Sequence, residues 1–360
     1  MIVLSCIVFV HLFNDRSGSP KVLSQVISAM AQHGADVEVL TSNYENGFLN
    51  GLPGIRRNIF YRRSENKLIT LFYFLIAQIF LFIQCLSYCR RDVIFYVNTM
   101  MPCGAALAAR LMGKQVIYHL HETSLRPALL KKILRLVIRL TASKIIFVSN
   151  YLCKVEGFCN IPQYVVHNAL SINIMQKPVR QMVSKFDVLM ICSLKKYKGV
   201  LEFFEIAKKL LCQPSIHFTL VLNAEQQEID SWIVGVDIPD NIAIFSRQND
   251  VLPFYNNANL LLNLSRPDEW IETFGLTILE GMAQGLPVIA PPVGGPAEII
   301  SDGKEGVLIS CYETTKIADM ILKLASDHEY YSHLAHNAWV RANDFSLTSF
   351  KENIIKVIES

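Results

Sequence analysis

In SRPDEWIETFGLTILEGMAQGLPVIAPPVGGPAEIISDGKEG, residues 265–306, Glu272 and Glu280 form an E-x7-E pair around the run TFGLTIL. Glycine adopts backbone angles that other residues avoid, so Gly275 marks where this loop turns, and a helical pattern follows it to about Gly285. A turn that feeds a helix presents unpaired N–H groups and a positive dipole end, chemistry suited to a diphosphate. Glu280, inside that helix, is placed to accept two hydrogen bonds from a ribose diol, and Glu272, just ahead of the turn, could hold sugar hydroxyls. One glutamate on a helix is ordinarily a solvated charge; the whole string argues for more.

A second basic element, SLKKYKG at residues 193–199, directly follows an apolar strand run and precedes a helix. Its lysines, Lys195, Lys196 and Lys198, could neutralise phosphate, although a lysine-rich turn alone is more often a solvated loop. Earlier in the chain, NDRSGSP at residues 14–20 leads through Gly18 and Ser19 into a helix, again after a strand run. His119-Leu120-His121-Glu122 follows another. Strand positions alternate between faces, so one of the two imidazoles is expected to face the ligand. The sequence has no D-x-D triad and no His/Cys/Asp cluster with metal spacing. The expected chemistry therefore needs no metal or other cofactor, with Lys198 and the helix end handling leaving-group charge.

Positioning these loops requires strands that end beneath them. Short β-branched runs at residues 2–10, 35–40, 93–97, 115–119, 144–148 and 164–167 alternate with helical patterns. A second series follows at 186–192, 217–222, 241–245, 260–264 and 287–290. This alternation predicts an α/β chain of two Rossmann-like doubly wound domains facing a central cleft, joined near residues 171–185. The expected domains are residues 1–172 and 173–337. A helix over about 338–360, anchored by Trp339, Phe345, Phe350, Ile354 and Ile355, is expected to cross back to the first. Doubly wound sheets bind ligands beyond the carboxyl ends of their strands, where all of these loops lie.

The E-x7-E string, with GGPAE at residues 294–298, resembles the donor-binding signature of the retaining glycosyltransferases of family 4, of the GT-B fold and bacterial surface-polysaccharide type. The resemblance extends over essentially the whole chain and implies that residues 1–172 form the acceptor side and 173–337 the nucleotide-sugar side. It implies that Glu280 binds the ribose and Glu272 the donor sugar, that Phe274, Gly275 and Leu276 offer backbone contacts, and that Thr277 lies at the β-phosphate. It also implies that His121 contacts the donor sugar near the anomeric centre, that Gly18 and Ser19 lie opposite the donor loop, and that configuration is retained. Family members carry an arginine five residues ahead of the Lys-Gly matched by Lys198-Gly199. Here that position is Ser193, and Lys195 or Lys196 is left to supply the second cation. Asn168 resembles the Asn-Gly that ends the first domain, with Ala169 in place of the glycine.

The remaining features narrow the class. A net charge of +3 without a dense basic stripe argues against a nucleic-acid partner. A hydrophobic fraction of 51% and a mean hydropathy of +0.30 suggest large buried sheets, membrane contact, or both. Nine cysteines without a C-x-x-C pair read as reduced thiols. Residues 68–89 carry no charge and could span a bilayer, but a span would separate strands expected to share a sheet, so a crossover helix is preferred. In residues 127–144, Lys131, Lys132, Arg135 and Arg139 among leucines and isoleucines suggest an anionic membrane surface as partner. Together these point to a peripheral enzyme on the cytoplasmic face of the bacterial inner membrane. Its expected partners are a UDP- or GDP-sugar and a lipid-linked oligosaccharide of O-antigen or capsule synthesis. The alternatives are a catalytically silent GT-B scaffold or a nucleotide-sugar epimerase, whose acid/base residues are not identifiable here.

Overall fold

The computed structural model describes residues 6–44, 46–64, 66–170 and 185–360. The expected strand positions 2–5, and all but the last residue of the expected connection at 171–185, lie outside the described residues. The chain divides into two compact units, one of Met1–Ser171 with Leu347–Ser360, the other of Ile172–Ser346.

Unit 1 is a seven-stranded parallel sheet built from β1 (Cys6–Val10), β2 (Val37–Ser42), β3 (Ile55–Ile59), β4 (Val93–Asn98), β5 (Val116–Leu120), β6 (Lys144–Phe147) and β7 (Gln163–Val165). Their order is β3-β2-β1-β4-β5-β6-β7. The central strands read as continuous apolar runs because helices cover both faces, as in β1, CIVFV. The edge strand β3, IRRNI, was not expected: three of its five residues are exposed, so it lacks the apolar signature. Strand order moves one way from β1 to β2 and the other way from β4 to β6. Right-handed crossovers therefore place α1 (Gly18–Gln32) on one face, and α3 (Cys103–Leu111) and α4 (Ala128–Thr141) on the other.

The uncharged segment forms α2 (Lys67–Cys85), which returns the chain from β3 to β4 and packs on α3. Since β3 and β4 belong to one sheet, α2 is a crossover rather than a bilayer span. It buries only Phe74, Ala77, Gln78, Leu81 and Cys85. The basic pattern of α4 also divides: Lys131 and Arg135 turn inward to pair with Glu156, whose side chain is buried, and only Lys132 and Arg139 face water. The expectation that all four cations meet headgroups is corrected accordingly.

Past α5 (Asn150–Glu156) of unit 1, unit 2 holds β8 (Phe186–Cys192), β9 (Ile216–Leu222), β10 (Ile242–Phe245), β11 (Leu260–Leu262), β12 (Val288–Ala290) and β13 (Gly306–Leu308), with α6 (Val200–Lys209), α7 (Gln226–Trp232), α8 (Leu252–Asn257), α9 (Leu276–Ala283) and α10 (Pro296–Ile299) between them and α11 (Thr314–Ser326) after the last. They form a six-stranded parallel sheet in the order β10-β9-β8-β11-β12-β13. β13, three residues at the edge, again escaped the apolar pattern. The core is aromatic and aliphatic, with Phe203 of α6 (Val200–Lys209) edge-on to Phe218 at 5.4 Å. The single helix expected over 338–360 is two: α12 (His328–Ala342) belongs to unit 2, and α13 (Leu347–Glu359) lies on α1 of unit 1. None of the nine cysteines forms a disulfide.

Candidate functional site

Strand order in unit 2 reverses between β8 and β11: β9 and β10 extend the sheet to one side of β8, while β11 to β13 extend it to the other. Such a reversal opens a crevice beyond the carboxyl ends of the two strands. The loop after β8 carries Ser193, Lys195, Lys196 and Lys198, and the loop after β11 carries residues 263–275. They meet closely. Gly199 has φ +80°, and a Cβ there would lie 2.1 Å from the Leu264 carbonyl oxygen, so only glycine lets the first loop rest on the end of β11. The Arg266 N–H donates to the Tyr197 carbonyl at 2.8 Å, and the Tyr197 ring stacks on Trp270 at 5.1 Å.

This docking brings Lys198 Nζ to 2.6 Å from Glu272 Oε2, with the ammonium 5.9 Å from the Trp270 ring centre. Burial by itself would lower the Lys198 ammonium, but the Glu272 carboxylate more than offsets this, so its pKa is raised and it stays cationic at neutral pH. Ser193 is half-buried beside this turn, whereas Lys195 and Lys196 are exposed. Arg266, the nearby guanidinium that the sequence reading passed over, donates to Glu202 at 2.8 and 2.7 Å and to Glu269 at 2.8 Å. Those two carboxylates commit it, so it does not stand in for the arginine missing at Ser193.

Gly275, at φ 109° and ψ 61°, caps α9 (Leu276–Ala283), and Leu276 and Thr277 form its first turn. No side chain caps this helix start, so its leading N–H groups remain donors for an anion. Glu280 lies half-buried on α9 and accepts from the Tyr255 hydroxyl at 2.9 Å. Burial, with Glu280 adding to it, raises the Tyr255 phenol well above its ordinary value, so it remains a donor. Phe274 is buried, its ring edge-on to Phe345 at 5.8 Å, which leaves its backbone as the part able to meet a ligand. The GGPAE run braces this loop from behind. The Gly295 N–H donates to the Glu272 carbonyl at 2.8 Å, and a Cβ on Gly295 would lie 2.2 Å from Phe274 Cα.

Unit 1 gathers its own polar cluster at the reversal between β1 and β4. The Tyr96 hydroxyl lies 2.8 Å from His119 Nδ1, within hydrogen-bond distance, and the His119 and His121 rings lie 4.3 Å apart. Positions i and i+2 share a strand face, so the expected division of the two imidazoles by face is corrected: depth separates them, His119 being fully buried and His121 partly exposed. His121 Nε2 lies 2.8 Å from Asn98 Oδ1, and Asn98 Nδ2 reaches His11 Nδ1 at 3.1 Å and the Ser19 carbonyl at 3.3 Å. An amide that accepts from His121 and donates twice satisfies all three contacts, placing the His121 proton on Nε2. Burial holds His11 down to about 4 and His119 to about 3, and burial together with the other two imidazoles holds His121 well below its ordinary value. Glu122 accepts from the Met100 and His121 N–H groups, and burial pushes it up to about 7.

The structure thus brings Ser193, Lys195, Lys198, Glu272, Phe274, Gly275, Leu276, Thr277 and Glu280 to one end of the unit 2 sheet. It brings Ser19 and His121 together in unit 1, with Gly18, exposed, opening α1 beside them. Asn168 is buried, and the Ala169 carbonyl accepts from Gln25 of α1 at 3.3 Å. Sequence reasoning missed His11, Asn98, Tyr197, Trp270 and Arg266. The only signal for His11 and Asn98 is a polar residue closing an apolar run.

Two parallel, doubly wound units of this construction define the GT-B class. The chain's residues 16–172 match the model described as Glycosyltransferase Family 4, and residues 173–340 the one described as Glycosyl transferases group 1. The chain belongs to the family 4 glycosyltransferases. Among curated relatives, N-acetyl-alpha-D-glucosaminyl L-malate synthase of Bacillus anthracis is 30% identical over 149 residues, 41% of this chain and 38% of that protein. Sucrose-phosphate synthase of Spinacia oleracea is 33% identical over 114 residues, 32% of this chain and 11% of that protein. The chain thus spans less than two fifths of the length of either. Among solved structures, Anabaena HepE in complex with UDP and glucose superposes with a TM-score of 0.82 at 19% identity, covering 99% of this chain and all of that one.

Proposed function

We propose that this chain moves a hexose or N-acetylhexosamine, with retention and without a metal ion, from a UDP- or GDP-sugar to a lipid-linked oligosaccharide in O-antigen or capsule assembly. It would work from the cytoplasm at the inner face of the bacterial inner membrane. The observation that carries the reading is the Lys198–Glu272 pair beside the uncapped start of α9. A cation for a departing diphosphate and an acceptor for sugar hydroxyls are held together at the switch point of a nucleotide-binding type of sheet. The bound UDP and glucose of HepE support a nucleotide-diphosphate sugar as donor class.

In this reading Glu280 accepts from the ribose hydroxyls and Glu272 from those of the sugar. The first amides of α9, from Leu276 and Thr277, face the β-phosphate. Lys198, Lys195 and Ser193 line the phosphate side. His121, neutral and oriented by Asn98, is assigned to the donor sugar, with Gly18 and Ser19 beside it. The bond from the anomeric carbon to the β-phosphate oxygen breaks and its electron pair leaves with the phosphate. The acceptor oxygen bonds to that carbon from the same face, and its proton passes to a β-phosphate oxygen. Lys198 opposes the charge that develops there, an effect of about 3 kcal/mol for one well-placed donor.

Ser193, standing where the family has arginine, favours a second reading as a nucleotide-binding protein without transfer activity. One assay separates the two: thermal shift and nucleotide release against UDP-, GDP- and TDP-sugars with chelator present. The expected result is turnover that survives chelation and falls about 10²-fold or more in Glu272→Ala. A requirement for Mn²⁺ or Mg²⁺ would overturn the metal-independent course. Binding without turnover, together with cellular function indifferent to Glu272→Ala, would establish the second reading.

A further inference from the structure

We infer that unit 1 docks on an anionic phospholipid bilayer through the outer face of α2, α3 and α4. The three helices lie side by side on one face of the sheet, α3 in the middle. Their orientation is set from within. Gln78 Oε1 of α2 accepts the Gly104 N–H at the start of α3 at 2.9 Å, and a Cβ on Gly104 would lie 2.2 Å from the Gln78 carbonyl. With α2 seated so closely, the side chains that point outward belong to the surface and have no core to join.

That surface is apolar. On α2, Leu68 is 76% exposed, Ile79 62%, Phe72 59%, Ile83 58% and Leu75 53%. On α3, Leu111 is 70% exposed, and on α4 Leu129, Leu140, Leu136 and Ile133 are each at least half exposed. Exposed positions 129, 132, 133, 136, 139 and 140 recur at helical spacing, so α4 turns a second amphipathic stripe outward while its first packs on the sheet. Contiguous apolar surface of this extent marks an interaction face.

Charge selects the occupant. None of the three helices contains an aspartate or glutamate, whereas exposed Lys67, Arg110, Lys132 and Arg139 border the apolar stripes. A second copy joined through the same face would set these cations against one another, because a two-fold interface pairs a patch with itself. A bilayer rich in anionic headgroups meets both features, apolar side chains entering the acyl boundary and cations the phosphates. Lys131 and Arg135, paired with Glu156, take no part. The inference does not depend on the donor chemistry.

The test is co-sedimentation of the full chain with vesicles of phosphatidylcholine alone and of phosphatidylcholine mixed with phosphatidylglycerol. The expected result is binding to the mixed vesicles, weaker in high salt. Leu75→Glu with Ile79→Glu, both at exposed positions, should weaken it about tenfold or more while leaving the unfolding temperature and nucleotide binding unchanged. Lys132→Glu with Arg139→Glu should abolish the preference for phosphatidylglycerol. Wild-type protein that stays in the supernatant with mixed vesicles overturns the inference. So does binding untouched by either variant, or a dimer in solution that the Leu75→Glu, Ile79→Glu protein fails to form.

Discussion

Gly275 and Gly295 show how much of the loop at residues 272–275 rests on the absence of a side chain. An alanine at Gly275 would hold φ near 109°, costing about 1–2 kcal/mol, and its Cβ would lie 3.0 Å from Ile278 Cδ1, an atom able to shift. Gly275→Ala should therefore fold with a modestly lowered unfolding midpoint and bind donor less tightly, because the first α9 amides are re-aimed. At Gly295 the obstacle is the Phe274 backbone itself, which cannot move without carrying Glu272 with it. Gly295→Ala should lose about 3 kcal/mol or more and most donor binding. Denaturant unfolding paired with thermal shift on nucleotide checks both, and equal losses in the two variants would contradict this ranking. At this scale Glu272, Gly275 and Glu280 were legible because they lie in one contiguous string. The Tyr197–Trp270 stack that supports Lys198 was not, because its two rings come from loops after different strands.

The strand ends of unit 1 are elements whose meeting has a pH signature. Buried imidazoles at His11, His119 and His121 stay neutral in the folded chain, whereas the unfolded chain protonates each as pH falls through its ordinary value of 6.5. Their contribution is present above that pH and lost below it. Glu122 acts in the opposite sense. Raised to about 7 from 4.5, it is protonated in the folded chain where the unfolded one is ionised, and its contribution is lost as pH rises through that window. Between pH 4.5 and pH 6.5 three groups oppose one, so acidification should destabilise the cluster. The unfolding temperature of unit 1 should fall from pH 6.5 to pH 5, and an unchanged or higher value at pH 5 would refute the assignment. Thr99, with φ +73° between these strand ends, is a further local cost of about 1–3 kcal/mol held by its surroundings. Element type was readable where strands are central and apolar. It failed at β3 and β13, because a sheet edge does not require the continuous apolar run that betrays a buried strand.

For the molecule as a whole, the last helix ties the end of the chain to its beginning. Phe350, Ile354, Val357 and Ile358 of α13 are buried in unit 1, and each such side chain contributes about 1.5–3 kcal/mol when fully covered. Lys351 Nζ donates to Gln32 Oε1 at 2.8 Å, and the buried Lys144 ammonium donates to the Val357 carbonyl at 3.0 Å. Removing residues 347–360 should uncover α1 and strand that ammonium. Unit 1 is then expected to unfold at a much lower temperature, or not to fold, while unit 2 keeps its own transition. Calorimetry of the truncated chain decides this, and an undisturbed unit 1 transition would show that α13 is dispensable.

Periodicity and one contiguous motif were enough to define two doubly wound units, the family, and a carboxylate pair around a glycine turn, because burial on both faces and a helix start are local properties. Tertiary structure alone decided which strands became neighbours and hence where each sheet reverses. It also decided that Asn98 joins His11 to His121, that Lys131 and Arg135 turn inward, and that the apolar side of α2 faces outward. Each of those outcomes depends on segments distant in the chain arriving at one place, and no spacing within a segment encodes its partner.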